Sequence, residues 1–288
     1  MSIVIDTLSR LANDNSGSLK LVHEKVVNWH GVLLLLAGVR KSLRIRMRDG
    51  RRYDISVSSR YVSVDYSGRE LKLLYGTKKE RIRAILTLIG EFLDEAHADL
   101  DVKGRDVVDI GAYIGDTPIY FALKGARHVY AFEPYPYSYD MARRNVSANY
   151  LNRKVTMINA GCGSKKGSIT IKSDEGNLAG SAMRKSESGK RIRILPLSTI
   201  VADYKLDNAA LKIDCEGCEY DIVLKSDKST LRRFASILIE YHYGYPKLVR
   251  KLKDSGFAIR HVEEEHAMRN VNVENQEMHG GTIVATLK

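Results

Sequence analysis

The sequence predicts an α/β chain in two parts. A small N-terminal α+β extension covers residues 1–98, and a mostly parallel, doubly wound sheet with helices on both faces covers residues 99–288. Three observations carry this. From Arg105 onward, short apolar strands alternate with helical segments, the order that builds a parallel sheet. The last two strands lie close in sequence with no clear helix between them, so the final strand is expected to run antiparallel. Upstream, the apolar period changes from helical to two and back.

In the extension, residues 1 to about 40 read as helical, with apolar positions at Leu8, Leu11, Leu19, Leu21 and Val22. Leu43, Ile45 and Met47 then alternate with Arg44, Arg46 and Arg48, and Asp49-Gly50 supplies a hairpin turn. Tyr53, Ile55 and Val57 continue on the far side, and 61–64 and 71–74 add strands. This is a small antiparallel sheet with a basic face. A helix over about 79–96 follows, with Ile82, Ile85, Leu86, Ile89 and Phe92 on one side.

In the second part, strands are expected at 106–110, 128–132, 155–159, 210–213, 235–240, 257–262 and 282–287. Helices are expected at 117–124, 138–150, 219–224 and 246–254. Residues 168–171 and 192–195 read as an inserted hairpin or edge element.

Charge is unevenly placed. Of the net +11, residues 40–83 carry 14 Lys and Arg against 5 Asp and Glu, an excess of +9. Such a region attracts nucleic acid, phosphorylated metabolites or anionic lipid, or serves only as a solvated surface. The apolar run Val32 to Val39 is far short of a bilayer span, so a buried helix is expected; Arg40, Lys41 and Arg44 behind it are compatible with peripheral membrane contact. The opening MSIVIDTLSR lacks the basic-then-apolar order of an export signal, and a cytoplasmic location is expected. Three cysteines do not suggest a disulfide-built fold. Cys215 and Cys218 have zinc or redox spacing but lack a second pair, and read as small buried side chains.

Three motifs carry chemistry. In VVDIGAYIGD, residues 107–116, an apolar strand meets a turn holding Asp109, Gly111, Ala112, Tyr113, Gly115 and Asp116. Ligands of parallel sheets sit beyond such strand ends, and glycine lets the backbone approach closely. The next strand ends at Glu133, 22 positions after Gly111, where a carboxylate can accept from a ribose diol. That layout also serves NAD. However, Asp116 repels a pyrophosphate and suits a ligand with ammonium and sulfonium groups, which favours S-adenosylmethionine. The third motif is LKIDCEGCEYDIV, residues 211–223.

With that block the chain resembles the FkbM family of S-adenosylmethionine-dependent methyltransferases. Lys212-Ile213-Asp214, Glu216-Gly217 and Glu219 look like the family's most recognisable segment. The Asp109 turn, Glu133-Pro134 and Asn159-Ala160 before the Gly167 turn match its order, over about residues 100–287. The family carries small or apolar residues more often at 215 and 218. The resemblance implies a Rossmann-like methyltransferase sheet and methyl transfer to oxygen, typically a hydroxyl of a sugar, polyketide or other secondary metabolite.

Roles follow for the donor and the acceptor. Asp109, Gly111, Ala112, Tyr113, Gly115 and Asp116 are expected around the methionine end of the donor, and Glu133 at the ribose. Asn159, Ala160 and Gly161 are expected at the adenine edge, with Asn159 alternatively a turn former. Asp214 is expected to border the donor and to face the reaction centre as a catalytic or orienting carboxylate, or to cap the helix after it. Glu216 and Glu219 line the same edge or stabilise the first turn of that helix. His242 reads as a general base oriented by Glu240, or as structural. Asp214 and Glu240 could bind a divalent metal, but no further ligand stands out and no metal is assigned. A small-molecule, glycan or lipid-linked, anionic acceptor is expected. The alternatives are RNA held by the basic sheet and a non-catalytic binding protein, against which the intact acidic and glycine positions argue.

Overall fold

The structure is a computed structural model describing residues 16–171, 189–263 and 280–288. The expected helical positions Leu8 and Leu11 lie outside them. The chain divides into two compact units: residues 1–96 with 147–150, and residues 97–146 with 151–288.

In the first unit, helices α1 (Ser16–Lys25) and α2 (Trp29–Ala37) precede a four-stranded meander. Its strands are β1 (Ser42–Arg46), β2 (Arg52–Val57), β3 (Tyr61–Tyr66) and β4 (Arg69–Leu74), paired in sequence order. The alternation seen in sequence is realised: Leu43 and Ile45 are buried while Ser42, Arg44 and Arg46 are exposed. Asp49 Oδ1 accepts from the Arg51 amide at 2.9 Å, and Gly50 takes φ 92°, which a side chain would resist. The apolar run after residue 31 is a packed helix whose Val32, Leu35 and Leu36 are buried. Among the described residues no helix is long and apolar enough to cross a membrane.

The expected helix over 79–96 is two elements: α3 (Lys78–Thr87), then a π-helix over Leu88–Leu93. The widened turn keeps Leu88, Ile89, Phe92 and Leu93 all buried. The start of α3 is held by a capping box: Thr77 accepts from the Glu80 amide at 3.2 Å, and Glu80 accepts from the Thr77 amide at 3.0 Å. Thr77→Ala should therefore lower stability by about 1 kcal/mol in a urea titration, and Thr77→Ser should retain most of it. Equal stability of all three proteins would contradict this.

The second unit holds a seven-stranded sheet in the order β13-β14-β12-β11-β5-β6-β7. Its strands are β5 (Asp106–Ile110), β6 (His128–Phe132), β7 (Val155–Ile158), β11 (Ala209–Ile213), β12 (Phe234–Tyr241), β13 (Phe257–Val262) and β14 (Gly281–Leu287). As expected, β14 is antiparallel to both neighbours and the other pairings are parallel. Strands β5 and β11 are apolar along their length apart from Asp106, Asp109 and Lys212, as suits strands covered on both faces. Helices α4 (Asp116–Leu123) and α5 (Pro136–Ala148) follow β5 and β6.

The expected inserted hairpin is present as β9 (Gly167–Ile171) and β10 (Lys190–Pro196), but it belongs to a second sheet. There β10 pairs in parallel with β8 (Ala160–Gly163), a strand the sequence pattern did not place. Helices α6 (Leu197–Asp203), α7 (Glu219–Lys225), α8 (Lys228–Leu231) and α9 (Pro246–Asp254) complete the described elements; α6 and α8 had no sequence signal strong enough to place them.

Candidate active site

Strand register brings the chemistry together. Ile110 pairs with Ile213 and Phe132, and Ile213 with Ile239. The carboxyl ends of β5, β6, β11 and β12 therefore lie side by side, which places the Asp109 turn, Glu133, Asp214 and Glu240 along one edge. Strand order reverses beside β5, since the chain runs from β5 outward through β6 and β7 and then returns to β11 on the other flank. A crevice at such a switch point is where ligands of open parallel sheets bind.

The β5 turn is built on backbone contacts. The amides of Gly111 and Ala112 both donate to Phe132 O at 3.0 Å. Gly111 sits at φ 85°, and a Cβ there would collide with the Asp214 carbonyl. Its lack of a side chain thus serves a close approach between two strand ends. Gly115, at φ 87°, lies against the backbone of Ala142 in α5 and leads into α4. Tyr113 is also left-handed, at φ 44°, and its amide donates to Glu133 Oε2 at 2.9 Å.

Glu133 is buried and oriented from two sides, because Oε1 also accepts from the Tyr135 amide at 2.8 Å. Burial pushes its carboxyl up to about 8, against those two donors. Asn159 donates through Nδ2 to Glu133 O and Pro134 O at 2.9 and 3.0 Å, so its side chain clamps the end of β6. Ala160 and Gly161 are buried in β8.

Lys212 was read from sequence only as a motif letter, and it is central. Its side chain is buried, and Nζ donates to Gly111 O at 2.9 Å. It lies 3.4 Å from Asp109 Oδ1 and 3.5 Å from Asp214 Oδ2. Burial opposes its charge, but Asp109 and Asp214, helped by Asp116 and Glu240, outweigh it and hold the ammonium above its ordinary value. Asp109 is wholly buried and accepts from Thr117 Oγ1 at 2.5 Å. It anchors Lys212 and the start of α4, rather than reaching outward.

Asp214 is partly exposed and its amide donates to Ile110 O at 3.0 Å. Helix α7 begins five residues later with Cys218 at its N-cap, so Asp214 does not cap it. The intervening loop holds Glu216 and Gly217 at positive φ and is closed by a disulfide between Cys215 and Cys218. This corrects the reading of the cysteines as small buried side chains.

Glu219 lies in the first turn of α7, as expected, and is also the buried partner of His242. Its Oε1 accepts from the His242 amide at 3.1 Å and from Nδ1 at 3.0 Å, while Oε2 accepts from the Gly217 amide at 2.9 Å. His242 is buried, with Nε2 facing Glu216 Oε2 at 3.4 Å and Asp214 Oδ1 at 3.9 Å. Burial would lower its pKa, but Glu219, Glu216 and Glu240 raise it to about 10. A ring that keeps its proton at neutral pH is poorly suited to act as the general base.

The Methyltransferase FkbM domain matches residues 109–266, more than half of the chain. No curated protein matches it. Among solved structures, the chain is similar to TrmK from M. capricolum in complex with S-adenosyl-homocysteine, at 12% identity and TM-score 0.42. That alignment covers 64% of this chain and 62% of that one, so the chain spans less than two thirds of it. It is similar to a putative transferase from Pyrococcus horikoshii at 13% identity and TM-score 0.42, covering 90% and 82%. It is also similar to a putative tRNA (m1A22) methyltransferase from Streptococcus pneumoniae at 15% identity and TM-score 0.42, covering 68% and 69%. With its motifs assembled along one sheet edge and its family match spanning them, the chain belongs to the FkbM family of S-adenosylmethionine-dependent methyltransferases.

Proposed function

We propose that the chain transfers the methyl group of S-adenosylmethionine to a hydroxyl oxygen of a glycan, lipid-linked sugar or secondary metabolite, using residues 99–288 for donor and reaction. The observation that carries this reading is the shared edge of Glu133, Asp214 and Glu240 at the switch point. The residues fit a cationic donor. Glu133, gripped by two backbone amides, retains acceptor capacity for a ribose diol. Asp109, Asp214, Glu216, Glu219 and Glu240 outnumber Lys212 and His242, which suits ammonium and sulfonium charge.

The donor supplies an electrophilic methyl group for in-line displacement. The chain's part is to align the attacking hydroxyl and receive its proton. Asp214, the partly exposed carboxylate at the end of β11, takes that proton. Lys212 fixes Asp214 through Oδ2, and Glu240 orients the acceptor. His242 acts through its position rather than as the base. Asn159 holds the β6 end beside the adenine edge formed with Ala160 and Gly161.

The test is a mass-spectrometric transfer assay with isotopically labelled donor and a panel of hydroxylated acceptors. Asp214→Asn should cut turnover at least tenfold and leave S-adenosylhomocysteine affinity within about threefold, the pattern of a lost transition-state contact. Unchanged turnover would remove Asp214 from the chemistry.

A second reading, methylation of RNA, is favoured by one observation: Arg44 and Arg46 share the exposed face of β1. Arg44 is paired there with Asp54 at 2.7 and 2.8 Å, which reduces its availability. If this face grips phosphates, RNA affinity should fall steeply with salt. The triple variant Arg44→Gln, Arg46→Gln, Arg48→Gln should then flatten that slope. Absence of RNA binding at low salt would leave the face as solvated surface.

A further inference from the structure

We propose that Asp214, Glu240 and His242 form a binding site for one divalent cation beside the acceptor position, with Glu219 as the support that orients the histidine. The proposal deepens the methyl-transfer reading and rests on it only for the cation's purpose, which is to hold and acidify the acceptor hydroxyl.

Ligand atoms from the three side chains all lie within 4.8 Å of one another. Ligands at roughly 2.0–2.6 Å from one ion stand about 3–5 Å apart, so the spacing needs little adjustment. The division of contacts within each side chain is the stronger argument. Asp214 gives Oδ2 to Lys212 and turns Oδ1 toward His242. His242 donates Nδ1–H to the buried Glu219 carboxylate, which presents Nε2 to the cluster, where the ion displaces the second ring proton that Glu216 and Asp214 otherwise hold. A carboxylate behind the non-ligating nitrogen is the usual support of a metal-bound histidine.

Among the described residues Nε2 meets its partners only as loose ion pairs. Its neighbours, Glu216 Oε2 at 3.4 Å and Asp214 Oδ1 at 3.9 Å, stand beyond the 2.7–3.2 Å of a normal N–H···O bond. The side chain is only 1% exposed, so water does not readily satisfy that atom. A buried nitrogen is thus aimed at carboxylates across a gap too wide for a hydrogen bond and wide enough for an ion. One imidazole with carboxylates and open positions suits a Mn²⁺-like or Mg²⁺-like ion, with Zn²⁺ as competitor. Lys212 neutralises part of the acidic excess, so moderate affinity is expected.

The test uses the full chain with Mn²⁺ alone, followed by electron paramagnetic resonance and calorimetry. One ion should bind per chain, and nitrogen hyperfine coupling should report the histidine. Asp214→Asn and Glu240→Gln should each weaken binding at least tenfold, and His242→Gln should abolish the nitrogen signal. Asp214 is partly exposed, so its variant folds even where the histidine variant does not. Failure of Mn²⁺, Mg²⁺ and Zn²⁺ to bind, or binding indifferent to Asp214→Asn, overturns the site. Because neither donor nor acceptor is present, that failure leaves methyl transfer standing. Conversely, cation binding without S-adenosylhomocysteine binding would sink the donor reading and keep the ion.

Discussion

Lys212→Met should destabilise the chain by about 3–5 kcal/mol, the cost of leaving buried charges without their partner. The ammonium lies between Asp109, which is 0% exposed, and Asp214, and it also satisfies Gly111 O. Methionine fills the volume but answers none of the three. For a domain of this size the melting temperature should drop by roughly 10 °C. Asp109→Asn in the same chain should recover part of the loss, because it removes the charge left stranded. A melting temperature within a degree or two of the parent would mean that Lys212 is not the electrostatic centre of this edge.

The second large effect concerns pH. Burial pushes the Glu133 carboxyl up to about 8. The folded chain therefore holds that proton more tightly than the unfolded chain. From this group alone, stability falls as pH rises from the ordinary carboxylate range to about 8, and levels off above it. Donor binding has the opposite sign, since a ribose diol is best met by the ionised carboxylate. Affinity for S-adenosylhomocysteine should rise tenfold or more between pH 6 and pH 9, with most of the change near pH 8. Glu133→Gln should flatten this profile, and a profile of the same shape in that variant would assign the titration elsewhere.

Much of the sheet was legible because its strands are short apolar runs separated by glycine turns and amphipathic helices. Strand 257–262 and helix 246–254 lie where the sequence puts them. Period and turn chemistry sufficed for these. Asp109, Glu133 and Asp214 were legible as strand-end carboxylates, but their work was not. A carboxylate at a strand end looks the same whether it faces a ligand or, as Asp109 does, an ammonium and a threonine. Lys212 could have been found, since a lysine within the apolar strand AALKI needs a buried partner. The pairing of Glu219 with His242 was hidden by a sequence separation of 23. Likewise, the parallel pairing of Ala160–Gly163 with β10 depends on a strand about 30 residues away, which local alternation does not encode.

The central claim is that the edge formed by β5, β6 and β11 holds S-adenosylmethionine with Glu133 at the ribose. The direct measurement is isothermal titration of the full chain with S-adenosylhomocysteine at pH 8.5 or above, where Glu133 is ionised, for the parent and for Glu133→Ala. The parent should bind with one site per chain. The variant should lose about 1.5–3 kcal/mol, the scale of a hydrogen bond to a charged group. Tight binding of NAD with none of S-adenosylhomocysteine, or equal affinity in parent and variant, would contradict the account.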